Sequence, residues 1–88
     1  MKDLESLRTT IDECDREIVK AIEKRFLTVK DVIKYKKDNN LEIFQPNREK
    51  EVLEKVDSYL KTKEFSPELQ SIFIHIMKLS KEIQERQS

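Results

Sequence analysis

Arg25 and Lys36 interrupt an otherwise apolar helical stripe, and they are the first place to look for chemistry. At 100° per residue the stripe runs Ile18, Ile22, Arg25, Val29, Val32, Lys36, so both cations share a face with isoleucines and valines. A cation turned toward a core without an anion carries a large desolvation cost, and no Asp or Glu of that stripe is placed to neutralise these two. Two later segments carry the same kind of exception. Glu49 stands beside Val52, Leu53 and Val56, while Ser80 and Gln84 extend the face of Phe73, Ile76 and Met77. Polar side chains on the apolar faces of three segments predict the lining of one pocket.

Arg25 and Lys36 are eleven residues apart, about 16 Å along a helix, and their long side chains reach toward a ligand held between them. Arg8 lies nearer the edge of the same face, too far from Lys36 to share a site within one chain. In an antiparallel dimer, Arg8 of one copy approaches the Arg25 and Lys36 cluster of the other. The set contains fixed cations, a carboxylate, an amide and a hydroxyl, with no evident nucleophile, metal site or proton shuttle. That inventory suits a small dicarboxylate, because guanidinium donors are planar and match carboxylate geometry. Chemistry in such a site comes from holding a conformation and stabilising developing charge, not from covalent attack.

The elements that must position these residues are helices. The 88 residues, read as one domain over 1–88, carry 18 basic and 18 acidic side chains and no net charge, so no global field recruits nucleic acid or an acidic membrane. Charged residues make up 41% and hydrophobic ones 36%, a balance that suits amphipathic helices with solvated outer faces. The absence of glycine removes phosphate-binding loops, dinucleotide-binding turns and most hairpins. An all-α fold follows.

The spacing predicts helices over about 4–38, 47–61 and 67–85. Asp3 is the expected N-cap of the first, and Asn39 with Asn40 tolerate the left-handed conformation that closes it. Residues 41–46 form a connection, and Pro46 opens the second helix, whose apolar face is Val52, Leu53, Val56, Tyr59 and Leu60. After a second connection over 62–65, Ser66 and Pro67 form a cap and first-turn pair for a third helix running through Leu69, Ile72, Phe73, Ile76, Leu79 and Ile83. The first helix would be roughly 50 Å long, against a radius of gyration of about 12 Å for a compact chain of this size. Half of its stripe would face water, so an interlocked helical homodimer is expected. Cys14 continues the stripe and is expected to be a small buried apolar side chain; the lone His75, at the margin of a face, is expected to be structural or solvated. Neither a metal nor a cofactor is predicted. With no signal-peptide core and no apolar run long enough to span a bilayer, a soluble cytoplasmic protein is expected.

At these same residues the chain resembles a family. Leu7, Arg8, Thr9, Thr10, Ile11 and Asp12 with Asp15, then Arg25, Lys36, the stretch Pro46, Asn47, Arg48, Glu49, and finally Ser80 with Gln84, are similar to the all-helical chorismate mutases of the bacterial AroQ type. The likeness covers nearly the whole chain. It implies an intertwined dimer of three-helix subunits, two equivalent sites, and conversion of chorismate to prephenate without a cofactor. It also implies that Arg8 from the neighbouring subunit joins Arg25 on the substrate carboxylates, and that Lys36 and Gln84 donate to the ether oxygen. Glu49 would accept from the ring hydroxyl, Arg48 would support the anionic end, and Ser80 would contact the substrate or its ordered shell. Where relatives commonly carry Asp two residues before Asn47, this chain has Gln45, a binding residue that lacks the charge. Two alternatives share the fold: a pyruvate lyase acting on isochorismate, against which the resemblance sets Glu49, and a non-catalytic dimerisation or regulatory module of an aromatic-pathway enzyme.

Overall fold

The computed structural model describes residues 3–42 and 47–87, and among these it contains three α-helices, one 3₁₀ turn and no strand. Helix α1 spans Leu4–Asp38. At its start Asp3 is extended, and its Oδ1 accepts from the Ser6 N–H at 2.8 Å, satisfying one of the orphan donors of the first turn. At its end Asn40 takes φ 56°, while Asn39 stays outside the left-handed region at φ −109°. The Leu41 N–H then donates to the Lys36 carbonyl at 2.8 Å and the Asn40 N–H to the Lys37 carbonyl at 3.3 Å, the paired bonds of a Schellman closure. An asparagine does here what a glycine usually does.

Helix α2 covers Arg48–Tyr59, shorter than the expected 47–61, because Leu60 is already extended at ψ 131°. The chain is drawn back at this point. The Lys63 ammonium donates to the Asp57 carbonyl and the Ser66 hydroxyl to the Asp57 carboxylate, which ties the following 3₁₀ turn, Lys63–Phe65, to the end of α2. Helix α3 spans Ser66–Gln87. Ser66 corrects the sequence expectation. Its φ −53° and ψ −48° are helical, so it is the first residue of α3 and not an extended cap, the 3₁₀ turn having already set the direction of entry.

Helix α3 packs against both α1 and α2. Val52, Val56 and Met77 are buried together, with Leu53, Leu69 and Phe73 around them. Each fully buried side chain of this kind stabilises the fold by roughly 1.5–3 kcal/mol. The Gln70 amide crosses to the Leu53 carbonyl at 2.9 Å and fixes the axial register of α2 on α3. Tyr59 and Ile72, expected on the packed faces, are exposed, since each lies off the line along which the two helices meet. In α1 the buried residue is Ile33, 2% exposed, whereas Val32 on the expected stripe is 41% exposed. The packed face is rotated by one residue, and the stripe itself faces the cavity described below.

The molecule measures 57 × 23 × 16 Å with a radius of gyration of 16.4 Å, well above the roughly 12 Å of a compact chain of this length. The excess is the N-terminal half of α1, where Leu4, Leu7, Ile11, Ile18 and Val19 are all exposed. Cys14, expected to be buried, is exposed on this half as well. His75 is exposed on α3. No described helix is long and apolar enough to cross a membrane.

Candidate active site

The stripe residues Arg25, Val29, Val32 and Lys36 of α1 form one wall of a cavity of about 650 Å³. Arg48, Glu49 and Val52 of α2 form a second wall, and Met77, Ser80, Lys81 and Gln84 of α3 a third. Of the residues singled out in the sequence, Arg25, Lys36, Arg48, Glu49, Ser80 and Gln84 therefore meet in one place. Arg8 does not reach it within the chain. It lies 17 residues before Arg25, about 25 Å along the axis, and is exposed. Gln45 and Pro46 fall outside the described residues.

Local structure explains why these side chains converge. Arg25 and Lys36 sit three turns apart on one face of a continuous helix. Glu49 occupies the first turn of α2, where a carboxylate is favoured by the helix dipole. On α3, Met77, Ser80, Lys81 and Gln84 follow the i, i+3, i+4, i+7 spacing that defines a single face.

One hydrogen-bond chain orients the central cation. The Arg25 Nη1 donates to Ser80 Oγ at 3.0 Å, and Ser80 Oγ donates in turn to the Ile76 carbonyl at 2.9 Å. Ser80 is only 7% exposed. Its proton is committed to the backbone and its lone pair to the guanidinium, so it holds Arg25 across from α1 to α3. Burial, and after it the like charge of Arg48, lower the pKa of Arg25 from its ordinary value. The guanidinium stays charged at physiological pH all the same. A cation placed beside a like charge favours an anion between them.

Two ion pairs involve residues of the lining. Arg48 Nη1 lies 3.3 Å from Glu51 Oε2, an exposed i,i+3 pair worth less than about 1 kcal/mol. Lys81 Nζ lies 2.5 Å from Glu49 Oε1 and links α3 to α2. Among the described residues of the lining, Lys24, Arg25, Lys36, Arg48 and Lys81 stand with a single carboxylate, Glu49. Sequence reasoning passed over Lys24, Thr28 and Lys81. The spacing of Lys81, four after Met77 and three before Gln84, was the signal that could have found it. Among the described residues no group of three or more His, Cys, Asp or Glu side chains is arranged to hold a metal ion.

The arrangement can grip a small compound bearing two carboxylates, offer donors along its length and accept one hydrogen bond at Glu49. The sequence model of a family described as chorismate mutase type II matches residues 7–85. No curated protein matches the chain.

Proposed function

The chain belongs to the chorismate mutase type II family, and from that premise we propose that it rearranges chorismate to prephenate as an antiparallel homodimer. The observation that carries this reading is the cavity itself, five cations against one carboxylate on a scaffold of the matching family. The rearrangement is unimolecular. The enolpyruvyl arm must fold over the ring into a chair-like transition state while the breaking C–O bond gathers negative charge on oxygen. Arg25, together with Arg8 of a second copy, clamps the two carboxylates and restricts the arm. Lys36 and Gln84 donate to the ether oxygen where charge grows, which stabilises the transition state more than the ground state. Glu49 accepts from the ring hydroxyl, Arg48 supports the anionic end, and Ser80 acts by holding Arg25. Gln45 binds as a neutral amide. Neither an acid, a base nor a cofactor is required by the bond changes.

The uncovered helix supports the dimer in this reading. If Arg8 of one copy meets Arg25 of the other, the symmetry axis crosses α1 near Arg16 and Glu17. The exposed Leu4 to Ile18 stretch of each copy then covers the cavity-bearing half of its partner, burying the apolar side chains that the single chain leaves in water. The test is incubation of purified protein with chorismate and, separately, isochorismate. Prephenate formation supports the proposal. Pyruvate release from isochorismate, or binding of chorismate without turnover, contradicts it in favour of a lyase or a non-catalytic module.

A further inference from the structure

Glu49 stands on a divide. It lines the central cavity, and it also lines a separate polar groove between α2 and α3 whose walls include Lys50, Glu54, Asp57 and Gln70. A glutamate has three side-chain torsions, so its place in the first turn of α2 does not by itself decide which space the carboxylate serves. The groove offers a lysine but also two further acids, which repel it. On the cavity side the Lys81 Nζ is 2.5 Å from Glu49 Oε1. Lys81 projects from the same face of α3 as Ser80 and Gln84, so the two adjacent residues 80 and 81 each tie a charged side chain from another helix: Arg25 from α1 and Glu49 from α2.

We propose that Lys81 is a positioning residue, holding the Glu49 carboxylate in the central cavity so that it can accept from a ligand hydroxyl. Both partners are about half exposed, so the pair contributes little to folding. Its consequence is the choice of one side-chain direction. A carboxylate has acceptor capacity on both oxygens, so an ammonium at Oε1 leaves room for a hydroxyl donor. An accepted hydroxyl is bound in the ground state and the transition state alike, so losing its acceptor weakens binding and leaves the chemical step largely intact. The identity of the hydroxyl-bearing ligand rests on the proposed mutase activity.

The test is a double-mutant cycle read by steady-state kinetics on chorismate, with Lys81→Met and Lys81→Arg made alone and in a Glu49→Gln background. Lys81→Met is expected to raise KM about three- to fivefold with a smaller change in kcat, and Lys81→Arg to recover most of the affinity. In the Glu49→Gln background Lys81→Met is expected to add nothing, because its effect travels through the carboxylate. An unchanged KM overturns the inference. So does an equal KM rise with and without Glu49, which would place Lys81 directly on the substrate's charge. So does a loss of activity that only follows a lowered unfolding temperature. A readout independent of turnover is the ¹³C resonance of the Glu49 carboxyl in ligand-free protein, which Lys81→Met is expected to shift and Lys81→Arg to leave close to its parental position. That shift in a protein that makes no prephenate supports the hold of Lys81 on Glu49 and overturns the mutase reading alone. No shift on Lys81→Met overturns the inference whatever the turnover.

Discussion

The two halves of α1 carry the same apolar periodicity and differ in what covers them. From Arg25 to Lys36 the helix has α3 beside it, buries Ile33 and turns its stripe into a cavity wall. From Leu4 to Val19 the same spacing leaves its large apolar side chains 45% to 65% exposed. An amphipathic pattern specifies that a face is to be covered; it does not specify by which chain. The uncovered half carries Arg8, the one proposed site cation that the cavity of a single chain lacks.

The largest effects should come from truncating one side chain in each half. Ile33→Ala removes a fully buried group and is expected to cost about 2–5 kcal/mol in chemical denaturation. Ile11→Ala removes a group that the single chain leaves 57% exposed. If a second copy covers it, this variant is also destabilised at protein concentrations where the parent is dimeric, and the difference fades on dilution below the parental dissociation constant. Parental stability of Ile11→Ala at every protein concentration would leave the N-terminal half a solvated face.

Next in size are the cations of the covered half. Arg25→Ala and Lys36→Ala are each expected to lower kcat/KM by about 10²- to 10³-fold, the loss of roughly 3–4 kcal/mol of transition-state stabilisation. Near-parental kinetics in either variant removes that residue from the site. Gln84→Glu gives a smaller, pH-graded effect. An amide donates at any ordinary pH, while a carboxyl group donates only when protonated. The ratio of variant to parent rates should therefore be higher at acidic pH than at pH 8, and a flat ratio across that range contradicts the contact with the ether oxygen.

The contrast between the halves also marks how far the sequence could be read. The three helices were legible because their apolar positions repeat every three to four residues and because Asp3 and Asn40 are good terminators. Five residues that line the cavity, Arg25, Lys36, Glu49, Ser80 and Gln84, were legible as polar interruptions of those faces, whereas Arg48 was legible only through the family resemblance. What escaped was set by tertiary contact. Ile33 in place of Val32, and the exposed Tyr59 and Ile72, depend on the angle at which helices meet, and a period of 3.6 does not determine that within one residue. Ser66 has the composition of a cap, but a 3₁₀ turn anchored on Asp57 had already begun the helix. Lys81 was overlooked because an isolated lysine on a helix usually serves the solvent.

The smallest expected effect lies at the far end of the uncovered half. The Ser6 N–H, followed by the Ser6 side chain, holds the Asp3 carboxyl below its ordinary 3.8. A depressed folded-state pKa means that the cap stabilises α1 fully above that ordinary value and loses its effect as the pH falls through the lowered one. Asp3→Ala should lower the unfolding temperature slightly at pH 7, with the difference closing in acid. Circular dichroism melts at both pH values check this, and a difference that persists in acid contradicts the assigned cap. Fraying there would also loosen the turn that carries Arg8.

The central claim is that each site draws on both copies, and mixing two inactive variants tests it most directly. Arg8→Ala and Arg25→Ala are each prepared alone, then unfolded and refolded together so that subunits exchange. If Arg8 serves the neighbouring site, every mixed dimer contains one intact site and one doubly deficient site. Statistical exchange should then restore about a quarter of the parental activity. Activity that stays at the level of the separate variants, with mixed dimers demonstrably formed, contradicts the shared site.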